Sequence, residues 1–119
     1  MTLARAVQAR NTRNAAANNM KYNKLIRDKI PEIIRQRGVE PKIHIADDKE
    51  YWHKLKEKLE EEITEFNEAE SIEELADILE VIDAICEYKN FKKSDLEFIK
   101  DKKADERGKF NKKIILEES

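Results

Sequence analysis

One cysteine, two glycines and two prolines in 119 residues leave little of the usual material for cross-links, tight turns or irregular loops. A single cysteine excludes an internal disulfide and fits a reducing compartment, so a cytoplasmic protein is expected. The scarcity of glycine and proline argues against long irregular loops and against a glycine-rich phosphate loop. No apolar run approaches the roughly 18 residues of a membrane-spanning helix, so no membrane partner is expected. Neither sign of charge prevails. Lysine plus arginine number 24 and aspartate plus glutamate 26, giving a net charge of −2 although 42% of residues are charged. Interspersed charge of both signs suits solvated helix faces and argues against a broad nucleic-acid footprint.

What is present is a chain long enough for one domain with one core, patterned mainly for helices. Residues Met1 to Asn19 differ from the rest, with Arg5, Arg10 and Arg13 but no lysine and no acid, amid Ala, Asn and Thr. The change at Met20 reads as the start of the domain, residues 20–119, with residues 1–19 an appended vector-derived segment. A transit peptide or a basic nucleic-acid arm would share that composition. Without the three arginines the net charge goes from −2 to about −5.

Leu25, Ile26, Ile30, Ile33 and Ile34 recur at helical spacing, and Pro31 belongs in the first turn of a helix ending near Gly38. Lys24, Arg27 and Lys29 cluster ahead of that helix. Pro41 to Ala46 alternates, with Ile43 and Ile45 on one side and Lys42 and His44 on the other, which predicts a short strand. Asp47 and Asp48 can cap the long helix that follows. The spacing predicts two helices across Trp52–Cys86, joined by a turn around Ser71. Ser94-Asp95-Leu96-Glu97 has the form of a capping box opening a further helix towards Glu106, stopped by Gly108. Ile114, Ile115 and Leu116 suggest a terminal strand within Phe110–Glu118, which could pair with the strand around Ile43 in a small two-stranded sheet. The fold class expected is mainly α.

Four acids stand out on helical wheels. With Glu62 at zero and about 100° per residue, Leu55, Phe66, Leu59, Trp52 and Ile63 fall between roughly 20° and 100°. With Ala69 just below zero, Glu62 lies inside this apolar arc, and Glu65 lies at its edge, about 60° from Glu62. The second helix repeats the pattern, with Glu74 inside an arc of Ile85, Ile78, Ile82, Leu75, Cys86 and Leu79, and Asp77 about 60° to one side. Ionised carboxylates on a buried face are costly unless something cationic meets them. A hard divalent cation takes oxygen ligands, and acids three residues apart on facing helices are how helical bundles build such sites. Ser71-Ile72-Glu73-Glu74 also fits a capping box, which would give Glu74 another use. His44 lies on the polar side of its strand and His53 about opposite Glu62, so neither reads as a metal ligand. Cys86 lies in the apolar arc as an inert core thiol.

Glu62-x-x-Glu65 followed by Glu74-x-x-Asp77 resembles the magnesium motif of the all-α nucleoside triphosphate pyrophosphatases, a superfamily that includes MazG, the dimeric dUTP pyrophosphatases and phosphoribosyl-ATP pyrophosphohydrolase. The strings Lys58-Leu59-Glu60-Glu61-Glu62 and Glu73-Glu74-Leu75-Ala76-Asp77-Ile78-Leu79 are similar to the MazG-like branch. Lys24-Leu25-Ile26-Arg27-Asp28-Lys29-Ile30-Pro31 and Lys102-Lys103-Ala104-Asp105-Glu106-Arg107-Gly108-Lys109-Phe110 resemble a small-protein subgroup described as phosphoribosyl-ATP pyrophosphohydrolase-like. The resemblance implies a helical bundle completed by oligomerisation and magnesium-dependent hydrolysis of a nucleoside triphosphate to monophosphate and pyrophosphate. It implies Glu62, Glu65, Glu74 and Asp77 as ligands of Mg2+, with Mn2+ as a substitute. Glu61, Glu62 and Glu80 are the catalytic candidates, and Lys24, Arg27, Lys103 and Arg107 the candidates for the phosphate chain. The second helix carries an apolar arc of roughly 160°, wider than a two-helix contact uses, so a homodimer or dimer of dimers is expected. The rival readings are a non-catalytic helical interaction module and a nucleotide sensor without turnover.

Overall fold

The computed structural model describes residues 23–119. The segment 1–19 read as an appendage, and the domain start at Met20, lie outside the described residues. Among the described residues, four α-helices account for the regular structure: α1 (Ile30–Gln36), α2 (Asp48–Ala69), α3 (Ile72–Lys89) and α4 (Lys93–Arg107). The protein is mainly helical, and no helix among the described residues is long and apolar enough to cross a membrane.

The chain divides into two compact units, Met1–Ile85 and Cys86–Ser119. The first contains α1, α2 and most of α3. α1 begins at Ile30 with Pro31 in its first turn, where a missing N–H breaks no helical bond. Its end is closed by hydrogen bonds from the amides of Arg37 and Gly38 to the carbonyls of Ile34 and Arg35, with Gly38 at φ +84°. Asp47 caps α2, its carboxylate accepting from the Glu50 amide at 2.8 Å. α2 and α3 then form a helical hairpin turned by Glu70 and Ser71, and buried Ile30, Leu55 and Val81 supply the apolar core.

The second unit comprises the last turn of α3, then α4 and the segment beyond it. Cys86 is a buried free thiol. α4 carries no buried residue, and Phe98 and Ile99 on it are exposed. Gly108, at φ +82°, ends it with an amide donating to the Ala104 carbonyl.

The sheet expected from the sequence is not formed. No strand occurs among the described residues. Residues 39–46 run without a ladder partner, and Ile43 and Ile45 point to solvent. Beyond α4, a turn with Lys113 at φ +57° breaks the run before Ile114, Ile115 and Leu116, all exposed. Three consecutive apolar residues present both faces of a strand at once, so they carry hydrophobicity without the period that selects a pairing partner. The predicted cap at Ser94 also moves. α4 starts at Lys93 with Lys92 in the cap position and no side-chain cap bond, which places Ser94 inside the first turn.

Glu70 closes α2 in the left-handed region (φ 52°, ψ 36°), its amide donating to the Phe66 carbonyl at 2.7 Å. Glycine normally occupies this position because a Cβ there is crowded. Glu70→Gly is therefore expected to stabilise the protein by up to about 1 kcal/mol, after the added freedom of the unfolded chain is subtracted. Urea denaturation of the two proteins measures it, and a destabilised variant would contradict the cap geometry.

Candidate metal centre

The buried ridge of each hairpin helix joins one apolar residue to two ionisable ones. On α2 it is Leu55, Lys58 and Glu62, and on α3 it is Glu74, Asp77 and Val81. Both sets follow the i, i+3, i+7 spacing of a single helix face. Because the turn lies between Glu62 and Glu74, antiparallel packing brings the ionisable ends together near the turn and the apolar ends together farther from it. Leu55 and Val81 are the buried apolar residues of these ridges, farther from the turn than the acids.

The centre is tight. One carboxylate oxygen from each of Glu62, Glu65, Glu74 and Asp77 lies within 4.8 Å of the others. Glu62 is 2% exposed and Glu74 0%. Buried Glu62 Oε2, Glu65 Oε2 and Asp77 Oδ2 accept no hydrogen bond. Buried carboxylate oxygens left this way are a substantial cost, and they form the donor set that a hard divalent cation takes. The Ser71–Glu74 capping box does not form, since the buried Ser71 hydroxyl makes no hydrogen bond.

Three cations stand around the acids. Lys58 Nζ lies 3.1 Å from Glu62 Oε1 and 3.1 Å from Glu61 Oε2, and is itself buried. Lys24 Nζ donates to Glu61 Oε1 at 2.6 Å, and Arg27 Nη2 donates to Asp77 Oδ1 at 2.8 Å. Lys58 had a legible signal that the sequence reading passed over. It stands four residues before Glu62 and three before Glu61, about 40° from Glu62 on the wheel and on the side of Glu65.

The charges divide the acids. Burial works against the Glu61 carboxylate, but the Lys24 hydrogen bond and the nearby Lys58 charge outweigh it and hold its pKa below the usual value. Glu65 goes the other way. Burial, followed by repulsion from Glu62 and Glu61, pushes its pKa up to about 7.

Of the remaining candidates, Glu80 is exposed on α3 and outside the four-acid cluster. Lys103 and Arg107 are exposed on α4 in the second unit. His44 meets Glu50 at 3.0 Å and His53 meets Glu57 at 3.6 Å.

Comparison with known proteins adds one relative. The chain is 47% identical over 47 residues, 40% of its length, to an uncharacterized protein of Mycolicibacterium smegmatis (strain ATCC 700084 / mc(2)155). It spans about half the length of that relative, 48%. No family model matches the chain, and no solved structure matches it.

The Glu65 shift has a consequence for stability. Its folded pKa of about 7 exceeds the ordinary 4.5, so between these values the folded protein holds a proton that the unfolded chain has released. Stability from this group is complete below about 4.5 and is lost as pH rises through about 7. In chelating buffer the melting temperature should fall over this interval, and Glu65→Gln should flatten the fall. Equal slopes for the two proteins would show that Glu65 titrates elsewhere.

Proposed function

We propose that the protein is a magnesium-dependent nucleoside triphosphate pyrophosphohydrolase, converting a nucleoside triphosphate and water to the monophosphate and pyrophosphate. Clearance of non-canonical nucleotides is the role this reading favours. The observation that carries it is the gathering of the carboxylates of Glu62, Glu65, Glu74 and Asp77 within 4.8 Å, with buried oxygens of Glu62, Glu65 and Asp77 that accept no hydrogen bond. In this reading they hold Mg2+, for which Mn2+ substitutes. Held there, such a cation would neutralise phosphate oxygens and lower the pKa of the attacking water.

The chain's own residues have distinct parts. Glu61, with both oxygens engaged by lysines and its pKa lowered, is suited to orienting the water and is a weak proton acceptor. Glu80, exposed on α3, is the weaker catalytic candidate. Lys24 and Arg27 stand at the edge of the acids and meet the phosphate chain, Arg27 through its planar fork. Lys103 and Arg107 are further candidates for the same chain on the strength of the sequence resemblance. The water attacks the α-phosphorus, the bond to the bridging oxygen breaks, and pyrophosphate leaves.

The assembly that fits this reading is a homodimer or dimer of dimers, with a second copy completing the bundle. Ile72, Leu75 and Leu79 on α3 and Ile63 on α2 are exposed side chains of the kind such a bundle covers. Light scattering at micromolar concentration should give a multiple of the 14.0 kDa chain mass, and a monomer mass would remove the second copy from the reading.

Pyrophosphate release from a panel of canonical and modified nucleoside triphosphates, with magnesium and with chelator, tests the activity. Glu62→Gln should lower turnover by more than about 100-fold and leave the fold intact. Magnesium at about 100 times its Kd should stabilise the wild-type protein by about 2.7 kcal/mol. A protein that releases no pyrophosphate and whose melting is insensitive to magnesium is instead a helical interaction module, with the acids closed by Lys24, Arg27 and Lys58. Nucleotide-dependent stabilisation without turnover would indicate a sensor.

A further inference from the structure

We infer that Arg27 is an exchangeable counter-ion: its guanidinium holds Asp77 in the metal-free protein and passes to a polyphosphate ligand when a divalent cation takes its place. This rests on reading Glu62, Glu65, Glu74 and Asp77 as a divalent-cation site. The nearly buried Glu62 meets Lys58 through Oε1 alone, and its buried Oε2, which accepts no hydrogen bond, is open to a further positive ligand.

The counter-ions of the centre differ in kind. Lys58 belongs to α2, is 7% exposed at its side chain, and pairs with Glu62, 2% exposed, four residues along its own helix. Its stem is packed and its partner is local, so it stays where it is. Arg27 comes from outside the hairpin, 50 residues from Asp77 in sequence, and its side chain is 50% exposed. The Asp77 side chain is 12% exposed. Asp77 therefore depends on a water-facing cation that can turn away without disturbing the core.

The backbone around Arg27 is tied on both sides. Lys54 Nζ, on α2, donates to the Asn23 carbonyl at 2.7 Å, and the Ile30 amide donates to the Arg27 carbonyl at 3.0 Å where α1 begins. Ile30 is buried. Side-chain rotation alone, with the strap in place, moves the guanidinium from Asp77 towards solvent beside the acids. A cation bound by the open Asp77 Oδ2 and a guanidinium on Oδ1 share one carboxylate, so they repel each other and each weakens the other's hold on its charge. A di- or triphosphate group brought by the cation offers the displaced guanidinium oxygens for both arms of its fork, where Asp77 engages Nη2 alone. Metal and polyphosphate binding are then coupled through one side chain, beyond any direct contact between the two ligands.

The test uses the full chain, Mn2+ and inorganic triphosphate, followed by calorimetry without turnover. Arg27→Met, which keeps the stem and removes the charge, should bind Mn2+ alone about tenfold more tightly than wild type. In saturating Mn2+ it should bind triphosphate about tenfold more weakly. Arg27→Lys, whose point charge lacks the fork, should fall between the two on both measurements, and it serves if Arg27→Met does not fold. Unchanged or weaker Mn2+ binding in these variants overturns the exchange, because Arg27 would then be a fixed part of the site. Tighter Mn2+ binding with unchanged triphosphate binding overturns it as well. Neither readout needs hydrolysis. If no nucleotide is hydrolysed while both shifts occur, the activity fails and the exchange stands. If hydrolysis is found without the shifts, the exchange alone fails.

Discussion

Confronting carboxylates is the constraint around which the first unit is built. Glu62 and Glu74 are among the most buried side chains of the described residues, on a ridge that hydrophobic residues would ordinarily fill. Placing ionised acids there opposes folding by desolvation and mutual repulsion, and the structure answers with three cations from two places. Lys58 comes from the same helix, Lys24 and Arg27 from the segment before α1. Among the described residues no ion pair is formed by Glu65, and it is the acid whose proton is held up to about neutral pH.

This arrangement explains why the apolar core of that unit is small yet suffices to place the site. Leu55 and Val81 pack at the end of the ridges away from the turn, and Ile30 anchors the segment carrying Lys24 and Arg27. The two-residue turn at Glu70 and Ser71 leaves the facing acids little freedom to separate. A left-handed glutamate at that turn is a local cost, accepted where the register of the hairpin determines which side chains face each other. The hydrolase reading uses the same geometry, because stabilising a triphosphate during attack at its α-phosphorus calls for concentrated negative charge that only a hard cation satisfies.

Much of this was legible in the chain itself. The periods that place Glu62, Glu65, Glu74 and Asp77 on or beside apolar arcs are properties of single helices, so they survive without knowledge of the partner. The Asp47 cap, Pro31 in a first turn and Gly108 at a helix end are likewise local. That no sheet forms was not legible, because pairing the segment around Ile43 with Phe110–Glu118 is a non-local choice and alternation alone states no partner. Ser71-x-x-Glu74 misled for a related reason: a capping box and a buried carboxylate share a sequence pattern, and they part only when the facing helix draws the acid inward.

By itself the sequence determined that the protein is mainly helical, where its hairpin helices lie and which acids share their inner faces. These follow from the 3.6-residue period, from caps and from the scarcity of helix breakers. Tertiary structure alone decided that the four carboxylates converge within 4.8 Å, that Lys58 is buried among them, and that Arg27 reaches Asp77 across 50 residues. A wheel gives the direction of each side chain from its own axis. Distances between side chains on different elements, and with them the balance of repulsion, ion pairing and metal affinity, exist only once the elements are packed.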